Sequence, residues 1–304
     1  MNDGPRGRAG IHFMLGASFF FSVMSLLVKA VGRSVPSQEI VLIRGVVTLA
    51  LIRASLRAAG ISPWGTRKGL LTIRGILGFA ALSAFFYVVV HLPLADATVI
   101  HYTNPVFTSV IAALVLAEPI RARDAASLLF SLAGVILIAR PGFLFGDGAS
   151  GLDARAVGVA LAGAVLSAAA YVVVRRLGQT EHHLVIVHYF AIVTTILAIP
   201  TAAPALVWPS PLAWLGLLGV GIATHIAQVL MTRGLALEPA GRAMTAGYVQ
   251  IVFAAVWGLA FFGEVPDPAA GIGALLIIGS TWALGRGAGS ARAGAPGSAS
   301  GAVR

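Results

Sequence analysis

The sequence predicts an all-α membrane protein, with ten transmembrane helices forming a 5+5 inverted-topology repeat around a central cavity. Three observations lead there. Hydrophobic residues are 58% of the 304-residue chain and charged residues 11%, against roughly 25% charged in a soluble domain. Apolar runs of about 20 residues, the length that crosses a bilayer core, recur along the whole chain. The chain also repeats itself. Slid so that Lys29 falls on Arg175, it places Thr48 on Thr194, Gly75 on Gly221, Pro93 on Pro239 and Ala97 on Ala243. The same register places Tyr102 on Tyr248, Phe107 on Phe253 and Glu118 on Glu264. Apolar matches mean little in so apolar a chain, but matched proline, tyrosine, glutamate and basic residues are hard to obtain by accident.

Breaking the apolar runs at Pro, Gly and charge clusters gives spans at 11–31, 38–58, 69–91, 95–117, 123–140, 155–176, 183–201, 211–232, 240–262 and 268–285. Pro93 and the Glu118-Pro119 pair supply the breaks at the two shortest loops. The first repeat therefore covers 11–140 and the second 155–285, joined by a Gly-rich linker at 141–154. Residues 286–304, rich in Gly, Ala, Ser and Arg, have nothing to pack and are expected to be a disordered cytoplasmic tail.

Basic residues orient the spans. With the N-terminus inside, Arg6, Arg8, Arg53, Arg57, Arg67, Lys68, Arg121, Arg123, Arg175, Arg176, Arg233 and Arg242 are cytoplasmic, whereas only Lys29, Arg33, Arg140 and Arg155 fall outside. Both termini are thus expected in the cytoplasm, in a multi-pass protein of the inner (plasma) membrane. Five spans per repeat is an odd number, so the two halves must run in opposite directions.

Composition also excludes functions. Cysteine is absent, which removes disulfides, thiolate metal sites and cysteine nucleophiles. The net charge of +10 lies between spans without interleaved aromatics, so no nucleic-acid partner is expected. His182-His183 has no further ligand at a useful spacing, and the Gly219-Val-Gly221 stretch lacks a P-loop lysine. No metal, cofactor or catalytic constellation is expected, and the chain reads as a non-enzyme. The first apolar run is as long as a span and lacks a small-residue cleavage site, unlike a signal peptide.

The stretch 92–119, LPLADATVIHYTNPVFTSVIAALVLAEP, resembles the fourth-helix signature of EamA-type carriers in the drug/metabolite transporter superfamily. Residues 235–264, LALEPAGRAMTAGYVQIVFAAVWGLAFFGE, resemble the matching ninth-helix signature, and Leu42-Ile-Arg44-Gly45 and Arg74-Gly75 are also similar to that family. The chain departs from the usual Gly-Glu pattern at Glu118-Pro119-Ile120. The resemblance implies a cavity lined by helices 1, 3, 4, 6, 8 and 9, with helices 5 and 10 as flanking supports. It does not fix a substrate: members carry amino acids, S-adenosylmethionine, riboflavin, citrate-like anions, metallophores and nucleotide sugars.

A polar side chain in hydrocarbon is costly, so each is a site candidate. In the fourth span His101, Asn104 and Thr108 recur at helical spacing and are expected on one face beside Pro105, with Tyr102 next to them. The eighth span offers His225, Gln228 and Thr232; the ninth, Tyr248 and Gln250; the sixth, Tyr171. Arg44 and Arg74 each lie about 9 Å into their spans at 1.5 Å per residue. Each can snorkel to the headgroups or face inward and bind an anion, with Gly45 letting a neighbour approach Arg44. Pro93, Glu118, Pro239 and Glu264 read as gating or structural positions, Glu118 near Arg121, Arg123 or Lys29.

No carboxylate sits mid-span. The expected function is a secondary transporter of small polar metabolites, amino-acid-like, zwitterionic or anionic, working by alternating access as an exporter, facilitator or exchanger. Alternatives are a proton-coupled uptake carrier for a vitamin or nucleoside-type metabolite, with histidine carrying the proton, and a non-transporting scaffold. The partners are a small-molecule substrate and the lipid bilayer, with monomer and homodimer both open.

Overall fold

Inside a bilayer a backbone has no water to satisfy its N–H and C=O groups, and a helix satisfies them within one segment. The computed structural model describes residues 6–92, 94–145, 153–263, 265 and 268–290, so Pro93, Glu264, linker residues 146–152 and tail residues 291–304 lie outside the described residues. Every regular element among the described residues is helical. The first half contributes α1 (Arg6–Val31), α2 (Ser37–Ala58), α3 (Lys68–His91), α4 (Leu94–His101), α5 (Asn104–Leu116) and α6 (Ala122–Ala139), then the single turn α7 (Gly142–Phe145). The second contributes α8 (Ala154–Leu177), α9 (His183–Ala202), α10 (Pro211–Leu237), α11 (Ala240–Ala246), α12 (Val249–Phe262) and α13 (Pro268–Ser290).

Eight helical stretches among the described residues are long and apolar enough to cross a membrane. The segment α2 falls outside that set, carrying Glu39, Arg44, Arg53 and Arg57, and the apolar part of α13 is the shorter Pro268–Leu284. Starts follow local chemistry. Asp153, His182 and Ser210 each accept a backbone N–H in the first turn of α8, α9 and α10. Two helices outrun their sequence-based ends: α10 continues to Leu237, stopped by Pro239 rather than by Gly234, and α13 to Ser290, taking residues 286–290 of the expected tail into helix.

The fourth and ninth spans are not continuous helices. The first breaks at Tyr102-Thr103, between α4 and α5, because Pro105 has no N–H to offer the His101 carbonyl. The Asn104 Nδ2 donates to that carbonyl instead at 2.9 Å, and Thr103 Oγ1 donates to the Ile100 carbonyl at 2.6 Å. The second breaks at Gly247-Tyr248, between α11 and α12, with a glycine as the weak helix former. The breaks fall at matched positions of the repeat. So do the ends: Ala117 after α5 and Gly263 after α12 are both left-handed, with φ of 53° and 67°.

Packing between the halves pairs off in the same register. The segment α1 lies along α10 as α8 lies along α3; α3 meets α9 as α10 meets α2; α5 packs on α8 as α12 packs on α1. The helices α2 and α9 run antiparallel. Glu39 lies by Val207, Gly45 by Thr195, and the Trp64 carbonyl beyond α2 accepts from Tyr189 Oη. Glycine brings the crossings close. A Cβ on Gly75 would lie 2.6 Å from Val193 Cβ, and one on Gly221 would strike Val47, the matching residue of the first half. The pair α6 and α13 stands apart as its own layer. Gly134 and Gly273 face each other's carbonyls, and Ser131 Oγ bonds Ser280 Oγ at 2.6 Å.

The left-handed alanine generates a prediction. L-residues other than glycine are disfavoured there by roughly 1–2 kcal/mol, partly offset by glycine's larger unfolded-state entropy. Ala117→Gly should therefore raise the thermal midpoint in detergent, by about 1 kcal/mol of stability, while Gly263→Ala lowers it. A lower midpoint for Ala117→Gly would contradict the cap geometry.

Candidate functional site

The two breaks meet at the centre. Tyr248 is fully buried, its hydroxyl donates to the Tyr102 carbonyl at 2.8 Å, and the two rings lie 5.9 Å apart. These residues are 146 apart, the repeat offset itself. A residue that touches its own counterpart lies on the axis relating the repeats. The other polar candidates lie on α2, α3, α4, α5, α8, α10 and α12.

Arg74 on α3 is 3% exposed. That depth removes the snorkelling alternative for this arginine. Its guanidinium lies 4.3 Å from the centroid of the Phe190 ring on α9, and Nε and Nη1 have no hydrogen-bond partner. Tyr171 on α8 is its electrostatic neighbour and also neighbours Tyr102. Arg44 is different: it is half-buried, and Nη1 lies 3.9 Å from the Met24 sulfur on α1. Gly45 beside it does admit a neighbour, since a Cβ there would meet Thr195 Oγ1.

The expected stripe of His101, Asn104 and Thr108 is interrupted by the helix break between the first and the second. His101 ends α4 with its ring 4.8 Å from Phe85, facing a cavity of about 10 Å³ bounded by Val88, Ala97, Ala160 and Gly163, a space for about one water. Asn104 and Thr108 are buried on α5; Thr108 Oγ1 donates to the Asn104 carbonyl at 2.8 Å, and Asn104 Oδ1 has no partner. On α10, His225 Nδ1 and Gln228 Oε1 are likewise without partners, and Thr232 Oγ1 bonds the Gln228 carbonyl at 2.7 Å. Gln250 is half-buried on α12, its backbone N–H bonded to the Gly247 carbonyl. Buried polar atoms are normally paired, so these orphans mark the interior as built for something polar.

Glu118 is held by a partner that sequence reasoning did not name. Its Oε1 accepts from Arg175 Nε at 2.7 Å rather than from Arg121, Arg123 or Lys29, and its Oε2 accepts from the Ala240 N–H at 2.8 Å. Arg175 Nη1 also donates to the Ala236 carbonyl at 2.7 Å. One carboxylate thus ties the ends of α5 and α8 to the junction of α10 and α11, where Pro239 stands. Arg123 donates instead to the Ala283 carbonyl of α13 at 2.6 Å. The signal for the clamp was present: Glu118 and Arg175 recur in the repeat register as Glu264 and Lys29. The matching helix pair, α1 and α12, is fastened by Trp257 Nε1 donating to Ser22 Oγ at 2.9 Å, with Phe19 and Phe253 edge-on at 5.4 Å.

Phe190 and Gly78 also escaped sequence reasoning, since an apolar ring and a glycine in an apolar span carry no polar signal. Beyond the membrane core, Glu181 accepts from the Thr66 and Arg67 backbone amides at 2.9 and 2.6 Å. Burial acts to raise its carboxyl, but these bonds, the Thr66 hydroxyl and the Arg67 charge outweigh it and hold the group below its usual range.

The clamp generates a prediction. Removing one partner of a charge-assisted bond strands the other, so Glu118→Ala and Arg175→Ala should each cost about 1–3 kcal/mol in thermal unfolding. The double variant should cost little more than the worse single one. Additive losses would show that the pair is not coupled.

Comparison with known proteins places this arrangement. Residues 8–140 and 154–286 each match the model of the EamA-like transporter family. The chain is 36% identical to the Pseudopaline exporter CntI of Pseudomonas aeruginosa, over 92% of this chain and 96% of that protein. It is 33% identical to human Solute carrier family 35 member G1, over 89% of this chain and 77% of that one. A crystal structure shares the fold at a TM-score of 0.79, covering 94% of this chain and 99% of that chain at 21% identity. The paired helix breaks, the buried polar interior and the twofold match agree: this chain is a multi-pass membrane transporter of small metabolites, not an enzyme, and belongs to the EamA-like transporter family.

Proposed function

We propose that the protein is a secondary carrier moving small zwitterionic or anionic metabolites across the inner membrane by alternating access, as an exporter or exchanger without an obligatory coupling ion. In this reading ten spans form two five-helix repeats inserted in opposite directions, with both termini cytoplasmic. The observation that carries it is the repeat-matched packing centred on Tyr102 and Tyr248. Two halves with interchangeable contacts give two states of similar energy, one open to each side, when they exchange shapes. The Glu118–Arg175 clamp holds one end of α5 against α8, and the Trp257–Ser22 contact holds the matching helix pair, α12 against α1. Releasing one while keeping the other opens one side. Outward direction is drawn from the relative named as an exporter.

Charge supports the substrate class. Among the described residues the acids sit at helix ends: Glu39 in the first turn of α2, Glu118 after α5, Glu238 between α10 and α11. The core keeps Arg74 and Arg44 with neutral amides, hydroxyls and imidazoles. Substrate-binding roles fall to Arg44, Arg74, His101, Tyr102, Asn104, Thr108, Tyr171, His225, Gln228, Tyr248 and Gln250 as a set, with Pro93, Pro239, Glu118 and Glu264 at the gates.

Proteoliposome counterflow tests this reading. Internal unlabelled metabolite should accelerate entry of the labelled one, and an imposed proton gradient should leave the initial rate unchanged. Uptake that follows the proton gradient would favour a coupled mechanism, for which the buried His188 on α9, with both ring nitrogens unpartnered, is the candidate carrier of the proton.

A further inference from the structure

We propose that Arg74, stacked on Phe190, anchors a carboxylate of the transported molecule; the assignment rests on the carrier reading and names the chemistry of its site. Among the described residues, the buried Arg242 and the partly buried Arg175 are held by acceptors. Arg175 has Glu118 and two backbone carbonyls, and Arg242 has Glu238 and the Leu284 carbonyl. Arg74 is as deeply buried, yet Nε and Nη1 bond nothing. A guanidinium remains charged at any working pH, and an uncompensated buried charge is strongly unfavourable. A carboxylate of the transported molecule would supply the acceptor that those two nitrogens lack.

The repeat supplies a control. The counterpart of Arg74 is Val220, and the counterpart of Phe190 is Arg44. Their neighbours Gly75–Val193 and Gly221–Val47 superpose the two crossings contact for contact. The same crossing is therefore built once with valine at the inner position, so the scaffold does not require an arginine there.

Geometry selects the anion. The electrostatic neighbour of Arg74 is Tyr171, a neutral phenol. A single guanidinium balances a single negative charge, so a carboxylate closes the site at neutrality and takes the bidentate geometry that guanidinium favours. A phosphate monoester, with close to two charges at neutral pH, leaves one unbalanced in a low-dielectric site. Gly78 makes the stack possible: a Cβ there would collide with Arg74 Nη1 and lie 2.7 Å from the Phe190 ring.

Thermal unfolding of the full chain in detergent tests the anchor, using succinate, citrate, L-glutamate, L-leucine and benzoate at millimolar concentration. Each is run beside its carboxamide, and glycerol phosphate serves as the phosphate probe. The expected result is a midpoint increase with at least one carboxylate and none with its amide. Arg74→Gln should lose that increase while its unliganded midpoint stays at or above wild type, which an arginine of structural role would not allow. Gly78→Ala, which keeps the charge and breaks the stack, should weaken the apparent affinity by about tenfold or more. The proposal is overturned if no carboxylate shifts the wild type, if an amide or glycerol phosphate does as well, or if the shift survives Arg74→Gln. Should Arg74→Gln fail to fold, Gly78→Ala and Phe190→Leu decide, and an undiminished shift in both overturns it. Carboxylate binding through Arg74 without flux in proteoliposomes would keep the anchor and sink the carrier reading. Flux of a solute without a carboxylate, indifferent to Arg74→Gln, would do the reverse.

Discussion

The structure depends on one constraint: inside hydrocarbon, a polar group must find its partner within the protein. Most of this chain obeys it closely. The Asn104 side chain replaces the hydrogen bond that Pro105 cannot make, Ser131 and Ser280 satisfy each other, and Thr108 and Thr232 bond back to their own helices. Against that thrift, the exceptions stand out. Arg74 on α3, Asn104 Oδ1 on α5, and Gln228 Oε1 and His225 Nδ1 on α10 are among the buried polar groups without a hydrogen-bond partner.

The same constraint accounts for how the molecule can move. Helix breaks are tolerated in a membrane only where neighbouring groups re-satisfy the backbone, and both breaks here sit at the axis between the repeats. Each divides its span into a short helix, α4 or α11, and a longer one, α5 or α12. The close glycine crossings of α3 on α9 and of α10 on α2 hold the remainder rigid, and the α6–α13 layer braces it from outside. A carrier of this kind needs two conformations of nearly equal energy. Repeat symmetry provides them without a separate design for each.

Much of this was legible in the sequence. Length, polarity and the self-match located nearly all the helix boundaries and the matched Tyr102–Tyr248 pair, because bilayer thickness and backbone satisfaction leave few options. Helix continuity was not legible at Tyr102-Thr103, since a single Pro105 in an apolar run is compatible with a kink as well as a break. The partner of Glu118 was missed because linear proximity favoured Arg121 and Arg123, whereas Arg175 arrives through the packing of α8 on α5. The seat of Arg74 was not legible either: Phe190 and Gly78, the ring and the glycine beside it, are ordinary apolar residues until the fold brings them together.

The central claim is that the repeats face opposite sides of the membrane, and loop positions matched by the repeat test it most directly. Ser62, after α2, and Trp208, after α9, are such a pair, and both are exposed. The chain has no cysteine, so Ser62→Cys and Trp208→Cys each introduce a unique thiol. In intact cells a membrane-impermeant maleimide should label Trp208→Cys and spare Ser62→Cys, with the pattern reversed in inside-out vesicles. Labelling of both from one side would mean that the halves run in parallel, and alternating access through an exchange of shapes between them would be ruled out.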